Sequence, residues 1–246
     1  MSQNPAEPFL PSKIALRTLA LIPAHNEAPR IAAVVTAARL HLPVLVVDDG
    51  STDETAARAE EAGAQVLRQV PNQGKGAALR AGFRRALDEG YDGVLTLDGD
   101  GQHDPGEIPA FLGACRRSPH DLVVGARSFR QMPWVRRISN TLGRWSFSWA
   151  LGRPVRDNQS GYRWISRRLM AALLDSGEAG FEFEVEMLVV CVCSGWILGW
   201  VPIRTIYGDQ ASHIRPLHHV VQFCRMVLHT RREVRRATAV KTAVGT

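Results

Sequence analysis

The stretch Val44 to Thr55, VLVVDDGSTDET, decides how the chain folds. Its apolar run predicts a short strand over Val44 to Val47, which two carboxylates and a glycine bring to an end. Ser51, Thr52, Asp53 and Glu54 then supply the hydroxyl and carboxylate groups that start a helix, predicted over Asp53 to Ala62. A strand running straight into a helix is the first half of a βαβ unit.

The same rhythm continues on both sides. Strands are predicted at Leu16 to Ile22, Gln65 to Arg68, Gly93 to Leu97 and Asp121 to Val124, with helices at Pro29 to Leu40, Lys75 to Glu89 and Glu107 to Arg117. This alternation predicts an α/β fold with a mostly parallel central sheet. Ligands bind such sheets beyond the carboxyl ends of the strands, so the loops there carry the functional reading. In order they are PAHNE, DDGSTDE, PNQGKG, DGDGQHD and GAR. Gly, Asn, Asp and Pro punctuate turns in any protein, and no one of these loops identifies a site by itself.

The fourth loop poses the sharpest chemical question. Within LTLDGDGQHDPGEI, Leu95 to Ile108, three aspartates crowd together, although like charges raise one another's pKa. Either the loop is solvated beside a helix start or it holds a cation. Asp98, Asp100 and the Gln102 amide are hard oxygen donors of the kind that Mg2+ or Mn2+ prefers. Asp48 and Asp49, at the end of the apolar strand, can accept hydrogen bonds from a base or ribose, or cap the next helix. NQGKG, Asn72 to Gly76, is not a P-loop, yet it places glycines and Lys75 at a helix start suited to an anionic group.

Beyond Arg127 the character changes. Pro133 to Ala150 reads as an amphipathic helix with basic and aromatic faces. DNQSGYRW reads as a loop entering a short strand, FEFEVEMLVVCVCSG as a helix, WILGWVPIRTIYG as a strand and Val220 to Val240 as a last helix. Arg127 to Arg168 holds ten arginines and one acid, Asp157, and His213 to Thr246 holds seven Lys or Arg and one acid, Glu233. With net charge +6 over 246 residues, the front must be acidic on balance. Such a chain suits a cation at one end and an anionic partner at the other.

Hydrophobic residues at 45% and charged residues at 22% are those of an ordinary globular protein with a sizeable core. The cysteines, Cys115, Cys191, Cys193 and Cys224, match neither zinc nor C-x-x-C spacing and read as reduced thiols of a cytosolic protein. The N-terminus lacks the pattern of a secretory signal, and Met187 to Ile203 is short and interrupted for a membrane span of ~20 residues. Residues 1–15 read as a loose leader, 16–215 as the main domain and 216–246 as a basic C-terminal helix and tail.

LIPAHNEAPRIAAVV, VLVVDDGSTDET, NQGKGAALRAGF, GVLTLDGDGQHDP, VVGAR, DNQSGYRWIS and VPIRTIYGDQASH, in this order, resemble glycosyltransferase family 2. Within that family they are most similar to the dolichyl- or polyprenyl-phosphate sugar synthases. The resemblance runs from about Leu19 to Ile214 and implies a GT-A fold, which binds a nucleoside diphosphate sugar across the strand ends. It implies that Pro23, Ala24, His25 and Glu27 line the nucleotide pocket, that Asp48 or Asp49 contacts base or ribose, and that Lys75 and Gly99 lie against the donor. His25 stands where family members more often carry tyrosine. Asp98, Asp100 and Gln102 would bind Mg2+ or Mn2+ between the phosphates, with Asp100 among the catalytic residues.

On the acceptor side the resemblance points to Arg127, Arg137, Thr141 and Arg163 as contacts to a polyprenyl phosphate, with Arg136 and Arg144 in reserve. Arg137 and Thr141, one turn apart, share a helix face. Asp157 is the base candidate if the acceptor is instead a sugar hydroxyl, which must lose a proton. Tyr207, Ser212, His213 and Arg215 form a loop that in relatives closes on the donor. Glu182, Glu184 and Glu186 receive no role beyond pairing with arginines.

The implied enzyme is a metal-dependent inverting transferase at the cytoplasmic face of a membrane. It would meet an anionic lipid surface through its basic segments, without a transmembrane span, and no nucleic-acid partner is expected. The alternatives are a transferase acting on a sugar hydroxyl and a non-catalytic basic binding module on the same fold.

Overall fold

The computed structural model describes residues 16–127, 134–174, 183–204 and 216–244. Among these residues, seven strands form one sheet: β1 (Thr18–Ala24), β2 (Val44–Asp49), β3 (Gln65–Gln69), β4 (Gly93–Thr96), β5 (Leu122–Arg127), β6 (Arg163–Ser166) and β7 (Leu198–Ile203). The strand order is β3-β2-β1-β4-β6-β5-β7. All neighbours pair in parallel except β6, which runs antiparallel to both β4 and β5.

Strand alternation divides the core. Leu19 and Leu21 of β1 point to one face of the sheet, Ala20 and Ile22 to the other. The first face packs on α3 (Lys75–Asp88), α5 (Trp134–Leu151), α6 (Arg167–Leu173), α7 (Phe183–Cys193) and α8 (Pro216–Val244). The second packs on α1 (Ile31–Arg39) and α4 (Ile108–Arg117), while α2 (Thr55–Glu61) lies beside α1. This is the three-layer arrangement that a doubly covered parallel sheet requires.

The chain lays down β1, β2 and β3 outward in one direction, then returns to place β4 on the far side of β1. Loops leaving β1 and β4 therefore diverge, and the crevice between them is a topological switch point. That crevice is where PAHNE and DGDGQHD meet.

The predicted strands and helices of the first half are all present, with ends shifted by a few residues. The strand predicted from Trp196 is observed as β7, Leu198–Ile203, and the loop from Tyr207 to Arg215 lies outside the described residues, as does Glu182. The last helix starts earlier than predicted, at Pro216, and packs along α5 and α7. Phe223 meets Phe147 edge-on at 5.5 Å, and Val227 and Thr230 are buried.

Close strand packing leaves no room at Gly93, where a Cβ would lie 2.5 Å from the Trp164 ring and 3.0 Å from the Ile165 carbonyl oxygen. Gly93→Ala should therefore overpack the β4–β6 contact and cost roughly 1–3 kcal/mol of stability, read by chemical denaturation.

Candidate active site

A cleft of about 350 Å3 opens at the switch point. Pro23, Ala24, His25 and Glu27 line it from β1 and the loop that follows, Asp49 from β2, Asn72, Gly74, Lys75 and Ala78 from the start of α3, and Asp98, Gly99 and Asp100 from the loop after β4.

The walls are tied together by side chains that the strand ends supply. Asn26, in the left-handed region at φ 56°, donates its backbone N–H to the Ser51 hydroxyl, and its side-chain oxygen accepts from the Thr52 N–H. Glu27 donates its N–H to the Thr55 hydroxyl at 2.8 Å. His25 Nδ1 donates to the Asp49 carbonyl at 2.9 Å while Nε2 accepts from Asn26 at 3.2 Å. PAHNE and DDGSTDE thus form one interlocked wall.

The two aspartates of that wall do different work. Asp49 accepts from the N–H groups of Gln73 and Gly74 at 2.8 and 2.7 Å, fixing the N-terminus of α3 against β2. Asp48 has no exposed surface, and its carboxylate accepts from the Ser51 N–H and from Arg68. Strand alternation turns Asp48 away from the cleft, so of the pair expected at the base or ribose only Asp49 borders it.

Lys75, the first residue of α3, crosses the cleft floor. Its ammonium lies 2.7 Å from Asp98 Oδ1 and 2.9 Å from Glu184 Oε1 of α7. Burial disfavours the charged ammonium, but the Asp98 and Glu184 carboxylates outweigh it and raise the lysine pKa. Burial likewise acts to raise the Asp98 pKa, and the Lys75 ammonium outweighs it and lowers that pKa. Gly161 backs this pair, since a Cβ there would lie 3.0 Å from both Asp98 Oδ2 and Lys75 Nζ.

His103 organises the acidic loop from behind. It is buried, stacked on Tyr162 with ring centroids 5.0 Å apart, and its Nδ1 accepts the Asp98 backbone N–H at 3.0 Å. Burial lowers its pKa. A ring nitrogen that accepts this N–H carries no proton, so the 3.6 Å approach of Nδ1 to Asp98 Oδ2 is not an ion pair. Asp100 Oδ1 accepts the Gln102 N–H at 2.9 Å, and Gln102 is half-buried. Across the cleft, burial and the Asp100 charge raise the Glu27 pKa against the pull of Arg30, whose guanidinium lies 3.6 Å from Glu27 Oε2. Crowded carboxylates facing one cavity are a donor set that a hard divalent cation suits. Among the described residues no preformed cluster of three His, Cys, Asp or Glu could hold a metal ion. Water and phosphate oxygens would have to complete its shell.

Among the residues expected at the acceptor, Arg127 at the end of β5 grips Asp157 with two bonds, Nε to Oδ2 at 2.7 Å and Nη2 to Oδ1 at 3.0 Å. Asp157 is buried and also accepts from the N–H groups of Gln159 and Ser160. Thr141 is half-buried on α5, and the side chains of Arg136 and Arg137 lie outside the described residues.

Arg163 corrects an expectation. It has no exposed surface, and it donates to the carbonyls of Ser160, Asn158 and Glu184. It braces the backbone and offers nothing to an acceptor phosphate. Tyr162, also fully buried, donates to the Asp104 carbonyl and belongs to the core.

His103 and Glu184 are the site residues that sequence reasoning left without a role. His103 stands five residues after Asp98 in the acidic loop, a spacing with no general meaning until the loop curls back. Glu184 sits in a visible alternation, FEFEVE, but its partner is a lysine more than a hundred positions earlier.

Residues 20–172 match the family described as Glycosyl transferase family 2. The chain is 35% identical over 209 residues to an undecaprenyl-phosphate mannosyltransferase of Micrococcus luteus, covering 78% of this chain and 84% of that protein. It is 31% identical over 207 residues to a polyprenol monophosphomannose synthase of Mycolicibacterium smegmatis, covering 76% of each. A glucosyl-3-phosphoglycerate synthase of Mycobacterium tuberculosis, crystallised with Mn2+, uridine diphosphate and phosphoglyceric acid, shares the fold. Its TM-score is 0.65 at 24% identity, over 87% of this chain and 77% of that one.

Replacing Arg163 by Leu leaves three carbonyls without their donor in the interior. The variant should lose roughly 3–5 kcal/mol in a denaturant titration. Unchanged stability with impaired turnover would instead return Arg163 to the acceptor side.

Proposed function

Because this chain belongs to glycosyl transferase family 2 and is a glycosyltransferase of GT-A fold, we propose that it moves a hexose from a nucleoside diphosphate sugar to a polyprenyl phosphate. The observation that carries this reading is the convergence of Asp98, Asp100 and Lys75 on one cleft at the start of α3. A helix N-terminus and a lysine suit a diphosphate, and two carboxylates suit the divalent ion that accompanies it. The names of the two bacterial relatives favour mannose as the sugar and a polyprenyl phosphate as the acceptor. GDP-mannose is then the first donor to test and UDP-glucose the second.

In this reading Asp98, Asp100 and Gln102 hold Mg2+ or Mn2+, which when bound neutralises charge on the departing diphosphate. Pro23, Ala24, His25, Glu27 and Asp49 shape the nucleotide side, Gly99 lets the donor approach the backbone, and Lys75 meets the phosphates. An acceptor phosphate is already a nucleophile near neutral pH, so the chain has to position it rather than deprotonate it. Arg127, held in one orientation by Asp157, is suited to that task, together with Arg137 and Thr141 of α5. Attack in line with the leaving group inverts the anomeric carbon. A sugar-hydroxyl acceptor would need Asp157 as a free base. The bonds it already accepts from Arg127, Gln159 and Ser160 favour the phosphate reading.

A lipid acceptor also asks for a way to the bilayer. Among the described residues no helix is long and apolar enough to cross a membrane. Leu142, Trp145 and Trp149 of α5 are 59%, 66% and 54% exposed, at a spacing that puts them on one helix face. Leu228 and the arginines Arg225, Arg232 and Arg235 are exposed on α8, and the Arg231 guanidinium covers the Trp149 ring. Tryptophans beside arginines suit the interface of an anionic membrane, where each cation contributes ~1 kcal/mol.

Two experiments test these statements. At about 100 times its dissociation constant, the right nucleoside diphosphate should stabilise the protein by ~2.7 kcal/mol with Mn2+ present, seen as a rise in Tm. Asp100→Asn should abolish the metal-dependent part, and an equal rise in that variant would remove Asp100 from the donor site. The chain should also sediment with anionic vesicles in a salt-sensitive way. Changing both Trp145 and Trp149 to Ser should weaken that partitioning about tenfold, and unchanged partitioning would place the membrane contact elsewhere.

A further inference from the structure

Lys75 is shared between two carboxylates of different standing. Asp98 faces the cleft, whereas Glu184 stands behind the lysine, 8% exposed, and does not line the cavity. Glu184 is held in place by its own backbone, because its carbonyl accepts from the buried Arg163 guanidinium. One side-chain oxygen lies 2.9 Å from Lys75 Nζ, and the other is buried without a hydrogen-bond partner. A buried carboxylate left half-satisfied has unused capacity to bind the ammonium.

The geometry sets up a competition. Lys75 Nζ lies 2.7 Å from Asp98 Oδ1, so it occupies a carboxylate that, on the donor-site reading above, is wanted by a divalent cation. The Gly161 backbone closes one side, and His103 offers Asp98 no side-chain donor. A cation at Asp98 and an ammonium on the same carboxylate repel each other. The conflict is relieved if the ammonium has a second anion already within hydrogen-bond distance, so that it needs only to turn and not to leave.

We propose that Glu184 is a positioning residue of the donor site: it retains the Lys75 ammonium at the cleft floor and thereby frees the Asp98 carboxylate for the cation. The proposal rests on the donor-site reading and adds to it a residue that never touches the donor. It also explains why a carboxylate lies buried on α7 facing a lysine of α3.

The test is Mn2+ uptake by the purified full chain, followed as loss of the free-Mn2+ electron paramagnetic resonance signal, with no substrate and no turnover. Glu184→Gln keeps the shape and removes the charge, leaving Lys75 to Asp98 alone. It should weaken Mn2+ binding about tenfold, the scale on which outer partners tune a metal site. If Glu184 acts through the lysine, the same change made in a Lys75→Met background should cost no more than about twofold. Undiminished Mn2+ affinity in Glu184→Gln overturns the proposal, and so does a tenfold loss that persists without Lys75. Should Glu184→Gln fail to fold, Glu184→Asp, which keeps the charge but draws it back from Lys75, is expected to lose several-fold, and wild-type affinity there also overturns it. Wild-type protein that takes up no Mn2+ would remove the donor-site reading itself, and the role of Glu184 with it, a result distinct from any variant effect.

Discussion

A guanidinium with no exposed surface ties together two segments that stand behind the cleft. Arg163 leaves β6 and donates to the carbonyls of Asn158 and Ser160 in one loop and of Glu184 at the start of α7. The first loop carries Asp157, which orients Arg127, and α7 carries Glu184, which meets Lys75. Burial pushes the Arg163 pKa down to about 10, with the Glu184 and Asp157 carboxylates acting in the opposite direction, so the group remains charged at neutral pH. A buried charge without partners would be costly, and three carbonyl acceptors make the position tolerable. Because those carbonyls belong to separate segments, one side chain fixes the loop that carries Asp157 and the start of α7 relative to each other.

The cleft itself is a balance of charge. Asp98, Asp100 and Glu27 line the cleft with Lys75, Glu184 meets that lysine from behind, and one Glu184 oxygen is buried without a hydrogen-bond partner. Like charges held this close repel one another, and the Lys75 ammonium offsets part of that repulsion. The ordinary hydrogen bonds of the loops, from Asn26 to Ser51 and Thr52 and from Asp49 to the α3 N-terminus, hold the carboxylates in place against their own repulsion. Binding capacity and rigidity thus come from different residues of the same short motifs.

The region around β5, α5 and α8 follows a different logic. Arg127 is preset by a buried aspartate, and α5 and α8 leave tryptophan, leucine and arginine on their outer faces. By reversing direction between β4 and β5, the antiparallel β6 places DNQSGYR at the carboxyl ends of its neighbours, beside the acidic loop.

Sequence alone determined the βα rhythm, the identity of the strand-end loops and most of the groups lining the cleft, because those properties are local. An apolar run followed by Asp, Gly and Ser ends a strand and starts a helix wherever it occurs, and strand ends in a parallel sheet face ligands by topology. Tertiary structure decided which carboxylate of Asp48 and Asp49 borders the cleft, that Arg163 braces backbone instead of gripping a ligand, and that Glu184 belongs with Lys75. Each of these depends on a side chain's direction or on a contact between residues far apart in the chain. Residue type and spacing cannot encode that, because an arginine bound by three internal carbonyls and one waiting for a phosphate look the same until the backbone is closed around them.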